Sequence, residues 1–521
     1  MDIGRTVRDA TLSLLREAEM TTIFGNPGST ELPFFRNFPA DFRYVLGLQE
    51  SIVMGMADGY AQATRKAALV NLHSAAGVGH ALGNLFTAFK NQTPLVITAG
   101  QQARSMLPYE PFLFAERATE FPRPYVKWAI EPARAEDVPA AIARAYYIAM
   151  EPPCGPTFVS IPIDDWDKDC EVITLRSVVT GNPGHPEAIA GVATRLAAAQ
   201  NPVLVVAAGV GRDDAWNEAV ALAERYEMPV WVAPVSARCG FPEDHRLFAG
   251  FLPAFRQAIV GTLAGHDLIL ALGGPLSLYH AEGIGPHLPD GADLIAIGDN
   301  VAHATWAPVG GTIVADVKLA LKQLLAFPAP VPFAVKTVNA VKPMLSGTRF
   351  NDAYLFQQIA RLRPDDSIIV EEAPSSRDAM HDYLPILKPD SFFTCSSGGL
   401  GHGLPAAIGV SLGQPTRKTI AVLGDGSSMY AIQGLWTATQ LDLPVSFVIV
   451  NNRRYEALES FGRLFGLQQP VGTKLGNIDF CELAHAQGLE SRRATEPQQL
   501  DEALRWSFAA QGPTLVEVMV D

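Results

Sequence analysis

Two short runs in this chain could together hold a divalent cation. Gly424-Asp425-Gly426-Ser427 follows the strand-like run Thr419-Ile420-Ala421-Val422-Leu423, and Asn451-Asn452 follows a second such run over 445–450. The stretch 429–441 between them reads as one helix. That is a βαβ unit, and a right-handed crossover makes its two strands parallel. Asp425 and Asn452 then share the carboxyl edge of one sheet, where α/β proteins bind ligands. A carboxylate and a carboxamide oxygen placed there suit a hard cation that also takes phosphate oxygens. An isolated Gly-Asp-Gly is usually only a turn. The matched Asn-Asn gives it weight.

Four further residues could carry chemistry. Glu50 lies at a strand-to-helix junction between Leu48 and Ile52-Val53-Met54. It reads either as a first-turn glutamate favoured by the helix dipole or as a carboxyl in an apolar pocket, able to bond a heteroaromatic nitrogen. His73 follows the strand 68–72 and precedes Ser74-Ala75-Ala76-Gly77, a carboxyl strand end; a lone histidine is more often structural. His280, in Leu278-Tyr279-His280, is less notable by itself. Ser29, in Gly25-Asn26-Pro27-Gly28-Ser29, raises a hydrolase reading, but the loop lacks the Gly-x-Ser-x-Gly elbow of a seryl nucleophile.

The elements that must position these residues alternate. Residues 6–19 carry a helical apolar face with Thr6 and Asp9 in capping-box positions. A strand over 21–24 feeds the Gly25–Ser29 loop, followed by strand 44–48, helix 51–63, strand 68–72, helix 78–88 and strand 95–98. This alternation is α/β with buried parallel sheets. Pro- and Gly-bearing stretches at 180–186 and 327–343, the latter with Pro328, Pro330, Pro332 and Pro343, divide the chain into three such units, 1–180, 187–326 and 344–521. The expectation is three doubly wound parallel-sheet domains. In the second, Ala207-Ala208-Gly209-Val210-Gly211-Arg212 resembles a dinucleotide loop, but Asp213 stands where the third glycine belongs.

Length and composition bound the rest. A chain of 521 residues exceeds one core, and 48% hydrophobic with 18% charged residues is ordinary for a globular protein. The net charge of −14, with no dense Lys/Arg cluster, argues against a nucleic-acid partner. Five cysteines without metal spacing read as reduced thiols, and no run approaches the roughly 18 apolar residues of a membrane span. A cytoplasmic protein without a membrane partner is expected.

The Gly-Asp-Gly to Asn-Asn pattern resembles that of thiamine diphosphate enzymes, and the three units match the pyrimidine-binding, central and diphosphate-binding domains of the thiamine diphosphate-dependent decarboxylase family. Seven segments sharpen this: Phe24 to Ser29, Asn71 to Gly77, Asp164-Asp165-Trp166, Pro234 to Cys239, Tyr279-His280, Gly398 to Gly409 and Leu435 to Ala438. They resemble the benzoylformate-decarboxylating branch of the family. The resemblance implies thiamine diphosphate held through Mg²⁺, with Ca²⁺ as a substitute, by Asp425, Asn452 and the Arg454 carbonyl. It implies that Glu50 bonds the aminopyrimidine N1′, that Gly398 receives the 4′-amino group and that Leu400 bends the cofactor. Ser375 and Ser427 would contact the diphosphate, with Gly424, Gly426, Tyr455 and Ala457 also around the cofactor. Ser29 would bind the substrate carboxylate, and His73 and His280 would move protons. A 2-oxo acid substrate and a homotetramer with active sites at subunit interfaces are likewise implied.

Several positions depart from that branch. Phe112 and Leu113 stand where a pair of leucines is expected, Thr394 where an aromatic is expected, and Pro374 where a hydroxyl residue is expected. Arg453, Arg454 and Glu456 replace small residues after Asn452, while Ala457 and Phe461 keep their identities. The implied pocket takes an aromatic ring in an altered shape. Decarboxylation of a benzoylformate-like 2-oxo acid is the expected reaction. A carboligase of the benzaldehyde lyase or acetolactate synthase type is the alternative, and a non-catalytic cofactor-binding regulator the alternative of another class.

Overall fold

The computed structural model describes residues 5–328, 334–339, 342–345 and 350–520, so Pro330 and Pro332 of the expected linker lie outside the described residues. Three six-stranded sheets hold almost every strand. The first contains β1 (Thr22–Gly25), β2 (Arg43–Leu46), β3 (Ala68–Leu72), β4 (Leu95–Gln101), β5 (Trp128–Ile130) and β6 (Thr157–Pro162), in the order β2-β1-β3-β4-β6-β5. The second contains β7 (Pro202–Val206), β8 (Val230–Val232), β9 (Phe248–Phe251), β10 (Leu268–Leu272), β11 (Asp293–Gly298) and β12 (Gly311–Val314), in the order β9-β8-β7-β10-β11-β12. The third contains β13 (Ile368–Glu372), β14 (Phe392–Thr394), β15 (Thr419–Gly424), β16 (Val445–Asn451), β17 (Glu490–Ala494) and β18 (Thr514–Met519), in the order β14-β13-β15-β16-β18-β17. The first and third sheets share one topology. The second has the order of a doubly wound dinucleotide fold.

The strands form where the sequence is rich in Val, Ile and Leu, as in Pro202-Val203-Leu204-Val205-Val206, and they are buried on both faces. By contacts the chain divides into two compact units. One comprises residues 1–178, 347–378 and 397–521; the other comprises 179–346 and 379–396. In the second unit Asp213 accepts the Val317 amide at 2.7 Å, and Gly209 lies directly on Gly273, so protein groups fill the place of a dinucleotide loop.

Helix α1 (Val7–Glu17) carries the expected capping box: Thr6 Oγ1 accepts the Asp9 amide at 3.2 Å and Asp9 accepts in return from the Thr6 amide. Helix α2 (Glu50–Thr64) and helix α3 (Ser74–Asn91) begin one and four residues earlier than their apolar patterns suggest. The residues added at their starts, Glu50 in α2 and Ser74-Ala75-Ala76-Gly77 in α3, are polar or small, so hydrophobic spacing does not reveal them, yet these starts bear Glu50 and follow His73. Helix α4 (Gly403–Gly413) is buried over most of its length, as α2 is, because glycines let the two backbones touch. A Cβ on Gly59 would strike the Ala406 carbonyl, and one on Gly409 the Met56 carbonyl.

The expected single helix over 429–441 is two: α5 (Asp425–Met429) and α6 (Gly434–Gln440). Between them the chain makes short i→i−3 turns, with Tyr430 donating to Ser427 and Ala431 to Ser428. Gly434 restarts the helix where a Cβ would lie 2.5 Å from Leu404 of α4. Close packing against α4 requires glycine at that restart. Helix α7 (Glu456–Leu464) follows the Asn-Asn turn and was not apparent from the sequence pattern.

Candidate active site

The loop after β1 depends on two glycines. A Cβ on Gly25 would strike the Tyr44 hydroxyl, and one on Gly28 would fall on the imidazole of His73. With glycine at both positions, the loop lies flat on the carboxyl edge of the first sheet and brings Glu31 beneath His73. Glu31 Oε2 is 2.9 Å from His73 Nδ1 and accepts the Gly28 amide at 2.8 Å. Its Oε1 accepts from Thr30 Oγ1 at 2.6 Å and from the Gly100 amide at 3.0 Å. Glu31 is only 2% exposed, so this buried carboxylate is satisfied on both oxygens. Burial pushes the neighbouring Tyr44 phenol up, and the Glu31 charge adds to that push. His73 thus has Nδ1 committed to Glu31, which leaves Nε2 for proton exchange. Ser29 is exposed on the turn just before Thr30 and Glu31.

Glu50 is the first residue of α2, behind Gln49, whose side chain caps the helix by accepting from Ser51 and Ile52. The carboxyl is not in a purely apolar pocket. Oε1 lies 3.3 Å from Asn26 Nδ2, and Oε2 lies 3.1 Å from His80 Nδ1. Gly77 and His80 of α3 are three residues apart, on one helical face that meets Glu50.

On the third sheet, β15 and β16 are parallel neighbours with Gly424 in register with Val450. Asp425 and Asn452 therefore leave the same sheet edge side by side. Asp425 Oδ1 accepts the Gly426 amide at 2.8 Å, while its buried Oδ2 has no hydrogen-bond partner among the described residues. Burial raises the Asp425 pKa, and the amides of Gly426, Arg453 and Arg454 oppose that rise. Asn452 Oδ1 accepts the Arg454 amide at 3.0 Å, and Arg453 adopts a left-handed φ of 59° to make the turn. The Arg454 guanidinium turns away to Glu456, which also binds Arg463. A Cβ on Gly426 would strike the Tyr455 ring, so the glycine makes room for that ring. Ser427 is buried beside it, and Ala457 is half-buried in the first turn of α7.

The remaining expected residues fall on loops. Phe112 is 87% exposed, and Leu113 has a left-handed φ of 67° with its carbonyl held by the Ser74 hydroxyl at 2.7 Å. Pro374 and Ser375 are exposed in a short turn directly after β13. Gly398 has φ 72° and is exposed, Leu400 is half-buried, and Phe461 on α7 stacks on Phe465. His280 and Thr394 belong to the second compact unit. His280 is exposed and its amide donates to Ala254, whereas Thr394 is buried and its amide donates to Ala237.

The benzoylformate decarboxylase of Pseudomonas aeruginosa is 42% identical over 520 residues, which span 99% of this chain and 98% of that protein. Residues 5–119 match the N-terminal TPP binding domain of thiamine pyrophosphate enzymes, 189–324 match the central domain, and 375–518 match the C-terminal TPP binding domain. The chain belongs to the thiamine pyrophosphate enzyme family. Two solved structures are similar to this thiamine pyrophosphate enzyme along its whole length. A thiamine diphosphate-dependent 4-hydroxybenzoylformate decarboxylase from Rhodococcus jostii RHA1 superposes with a TM-score of 0.96 at 40% identity, covering 99% of each chain. Benzoylformate decarboxylase from Polynucleobacter necessarius superposes with a TM-score of 0.96 at 38% identity, again covering 99% of each chain.

The residues of this thiamine pyrophosphate enzyme fit the group its family is named for. Asp425 Oδ2, an ionisable oxygen buried without a hydrogen-bond partner among the described residues, lies beside a carboxamide turn, and such a pair suits a diphosphate-bridging cation. Sequence reading missed Glu31, Thr30, Asn26 and His80. Glu31 had one signal: it is a carboxylate just before the apolar run Leu32-Pro33-Phe34-Phe35. His80 had none, because its partner lies on another helix.

Proposed function

We propose that this chain catalyses the non-oxidative decarboxylation of an aromatic 2-oxo acid of the benzoylformate type to an aldehyde and CO2. The observation that carries this reading is the set Ser29, Glu31 and His73 on one sheet edge: a hydroxyl and an oriented imidazole in a chain similar throughout to aryl 2-oxo acid decarboxylases. When bound, thiamine diphosphate supplies an electron sink for the pair left as CO2 departs. Asp425, Asn452 and the Arg454 carbonyl would hold Mg²⁺, or Ca²⁺ in its place. Ser375, Gly424, Gly426, Ser427, Tyr455 and Ala457 would surround the diphosphate, while Gly398 and Leu400 would shape the cofactor's fold. Glu50 would hold a proton against a ring nitrogen. Ser29 would donate to the substrate carboxylate, His73 Nε2 would exchange a proton with the reacting centre, and His280 would serve a second transfer. Phe112, Leu113, Pro374, Thr394 and Phe461 would bound the aryl group and exclude water.

The same proposal places domain limits at 1–180, 187–326 and 344–521, which contain the three family matches; limited proteolysis between 180 and 187 checks the first. It also makes the protein a homotetramer, since Phe112, Tyr430, Leu458 and Phe465 expose apolar surface suited to a second copy. A monomer in sedimentation equilibrium overturns that. Five cysteines, none in a disulfide among the described residues, fit a reducing cytoplasm, which cell fractionation checks. Among the described residues no helix is long and apolar enough to cross a membrane.

The deciding experiment follows CO2 and aldehyde from benzoylformate, 4-hydroxybenzoylformate and pyruvate, with and without thiamine diphosphate and Mg²⁺. Cofactor-dependent CO2 from the aryl substrates, well above that from pyruvate, is expected. Cofactor binding without turnover would mean a regulator. Ligated product in place of aldehyde would mean a carboligase.

A further inference from the structure

Three buried ionisable residues of the first compact unit have no part in the site so far: Asp58 on α2, Glu372 at the end of β13, and His402 immediately before α4. Each is at most 2% exposed. His402 Nε2 donates to Asp58 Oδ2 at 2.5 Å, and Asp58 also accepts from Gln62 at 2.8 Å and Asn91 at 3.0 Å. The His402 amide donates to Glu372 Oε1, and the next amide, of Gly403, donates to Oε2, both at 3.1 Å. His402 is therefore tied by its ring to α2 and by its backbone to β13. Burying three such groups is unfavourable unless each is paired, and side chains of that kind need an explanation.

Their position supplies one. Strand β13 runs from Glu372 into Ala373, Pro374 and Ser375, and the residues before His402 are Gly398-Gly399-Leu400-Gly401. That turn has left-handed glycines at both ends, φ 72° at Gly398 and 93° at Gly401, so its own backbone does little to hold its shape. Its exit is held by the Glu372 carboxylate, by Asn84 of α3 donating to the Gly401 carbonyl at 3.0 Å, and by His402 on Asp58. Asn84 also donates to the Ser51 carbonyl, in the first turn of α2 beside Glu50.

We propose that Glu372 and His402 are positioning residues for the reaction: Glu372 clamps the exit of the Gly398–Leu400 turn, and His402 locks that turn to the helix that begins with Glu50. The inference rests on the proposed roles of Gly398 and Leu400 at the cofactor. Its geometry carries a pH dependence. Burial pushes the Glu372 carboxyl to about 7, against the pull of His402 and its two amides, with Glu371 adding to the push. Glu371 itself is paired with Arg377, and the His402 charge is shared with Asp58. Above about 7 both oxygens of Glu372 accept, so the clamp is complete. As the pH falls through that value the carboxylate gains a proton and loses its charge, and the protonated oxygen becomes a weaker acceptor for its amide.

The test measures thiamine diphosphate affinity by calorimetry, with Mg²⁺ present, across pH values on both sides of neutrality. In the wild type, affinity is expected to weaken about tenfold as the acid side is entered, the scale of one hydrogen bond to a charged group. Glu372→Gln is expected to bind about tenfold more weakly than wild type on the alkaline side and to lose the pH step. Hydrogen exchange of the His402 and Gly403 amides in the wild type, corrected for intrinsic rates, reads the clamp directly. Their protection is expected to drop about tenfold on the acid side. Wild-type affinity and pH step in Glu372→Gln, or amide protection that ignores pH, overturns the inference alone. Wild-type protein that binds no thiamine diphosphate at any pH overturns the proposed function as well.

Discussion

Nδ1 of His73 lies 2.9 Å from Oε2 of Glu31, and Glu31 is held in turn by Thr30 and by the amides of Gly28 and Gly100. A buried carboxylate that fixes one imidazole nitrogen decides which tautomer the other nitrogen presents. Glu31→Gln keeps the shape but can present a donor to Nδ1. We expect kcat for aryl 2-oxo acid decarboxylation to fall about tenfold to a hundredfold, the usual cost of losing an orienting partner, with KM little changed. Steady-state CO2 release from protein with native circular dichroism checks this. Undiminished kcat would make Glu31 a purely structural residue.

Asp425 Oδ2 is buried without a hydrogen-bond partner among the described residues, so a cation bound there should stabilise the fold. With thiamine diphosphate and Mg²⁺ at about a hundred times their dissociation constants, stabilisation of about 2.7 kcal/mol is expected, read as a rise in Tm. Chelation by EDTA should abolish the rise, and Mg²⁺ or Ca²⁺ should restore it. Asp425→Asn should melt near the unliganded wild type and gain little from either addition. A full ligand-induced rise in that variant would count against Asp425 as a ligand.

The buried Asp58–His402 pair makes stability depend on pH in a definite direction. Burial would raise Asp58, but the His402 charge and hydrogen bond hold it below its ordinary 3.8; burial would lower His402, but Asp58 and Glu372 hold it above its ordinary 6.5. The Asp58 contribution is present above its unfolded value and lost as the pH falls. The His402 contribution is complete below its unfolded value and lost as the pH rises through its raised folded value. Together they are greatest between 3.8 and 6.5. Asp58→Asn strands a buried imidazolium and should lose about 3–5 kcal/mol in that window, with a smaller loss once the pH has risen beyond it. Urea midpoints of both proteins at several pH values measure this. A difference that is flat with pH would rule out the ionised pair.

Much of the fold was legible because strands such as Ala68–Leu72 and Val445–Asn451 are short, mostly apolar and fully buried runs, interrupted only by Asn71 and by Ser446 before the terminal Asn451. Parallel pairing then followed from chain handedness, which brought Asp425 and Asn452 to one edge. The first turns of α2 and α3 were less legible, since Glu50 and Ser74 begin helices whose apolar periodicity starts later. The break between α5 and α6 was not legible at all; the close contact at its restart, Gly434 against Leu404, comes from another helix.

By itself the sequence determined the α/β class, the two turns that bring Asp425 and Asn452 to one sheet edge and the residue types available for proton transfer, because these depend on local pattern and on the backbone handedness shared by all such chains. Tertiary structure alone decided which groups meet. Glu31 beneath His73, His80 on Glu50 and His402 between Asp58 and Glu372 join residues from 30 to 344 positions apart. Nothing in local spacing encodes such contacts. They arise where close-packed elements bring donors from distant parts of the chain onto a carboxylate.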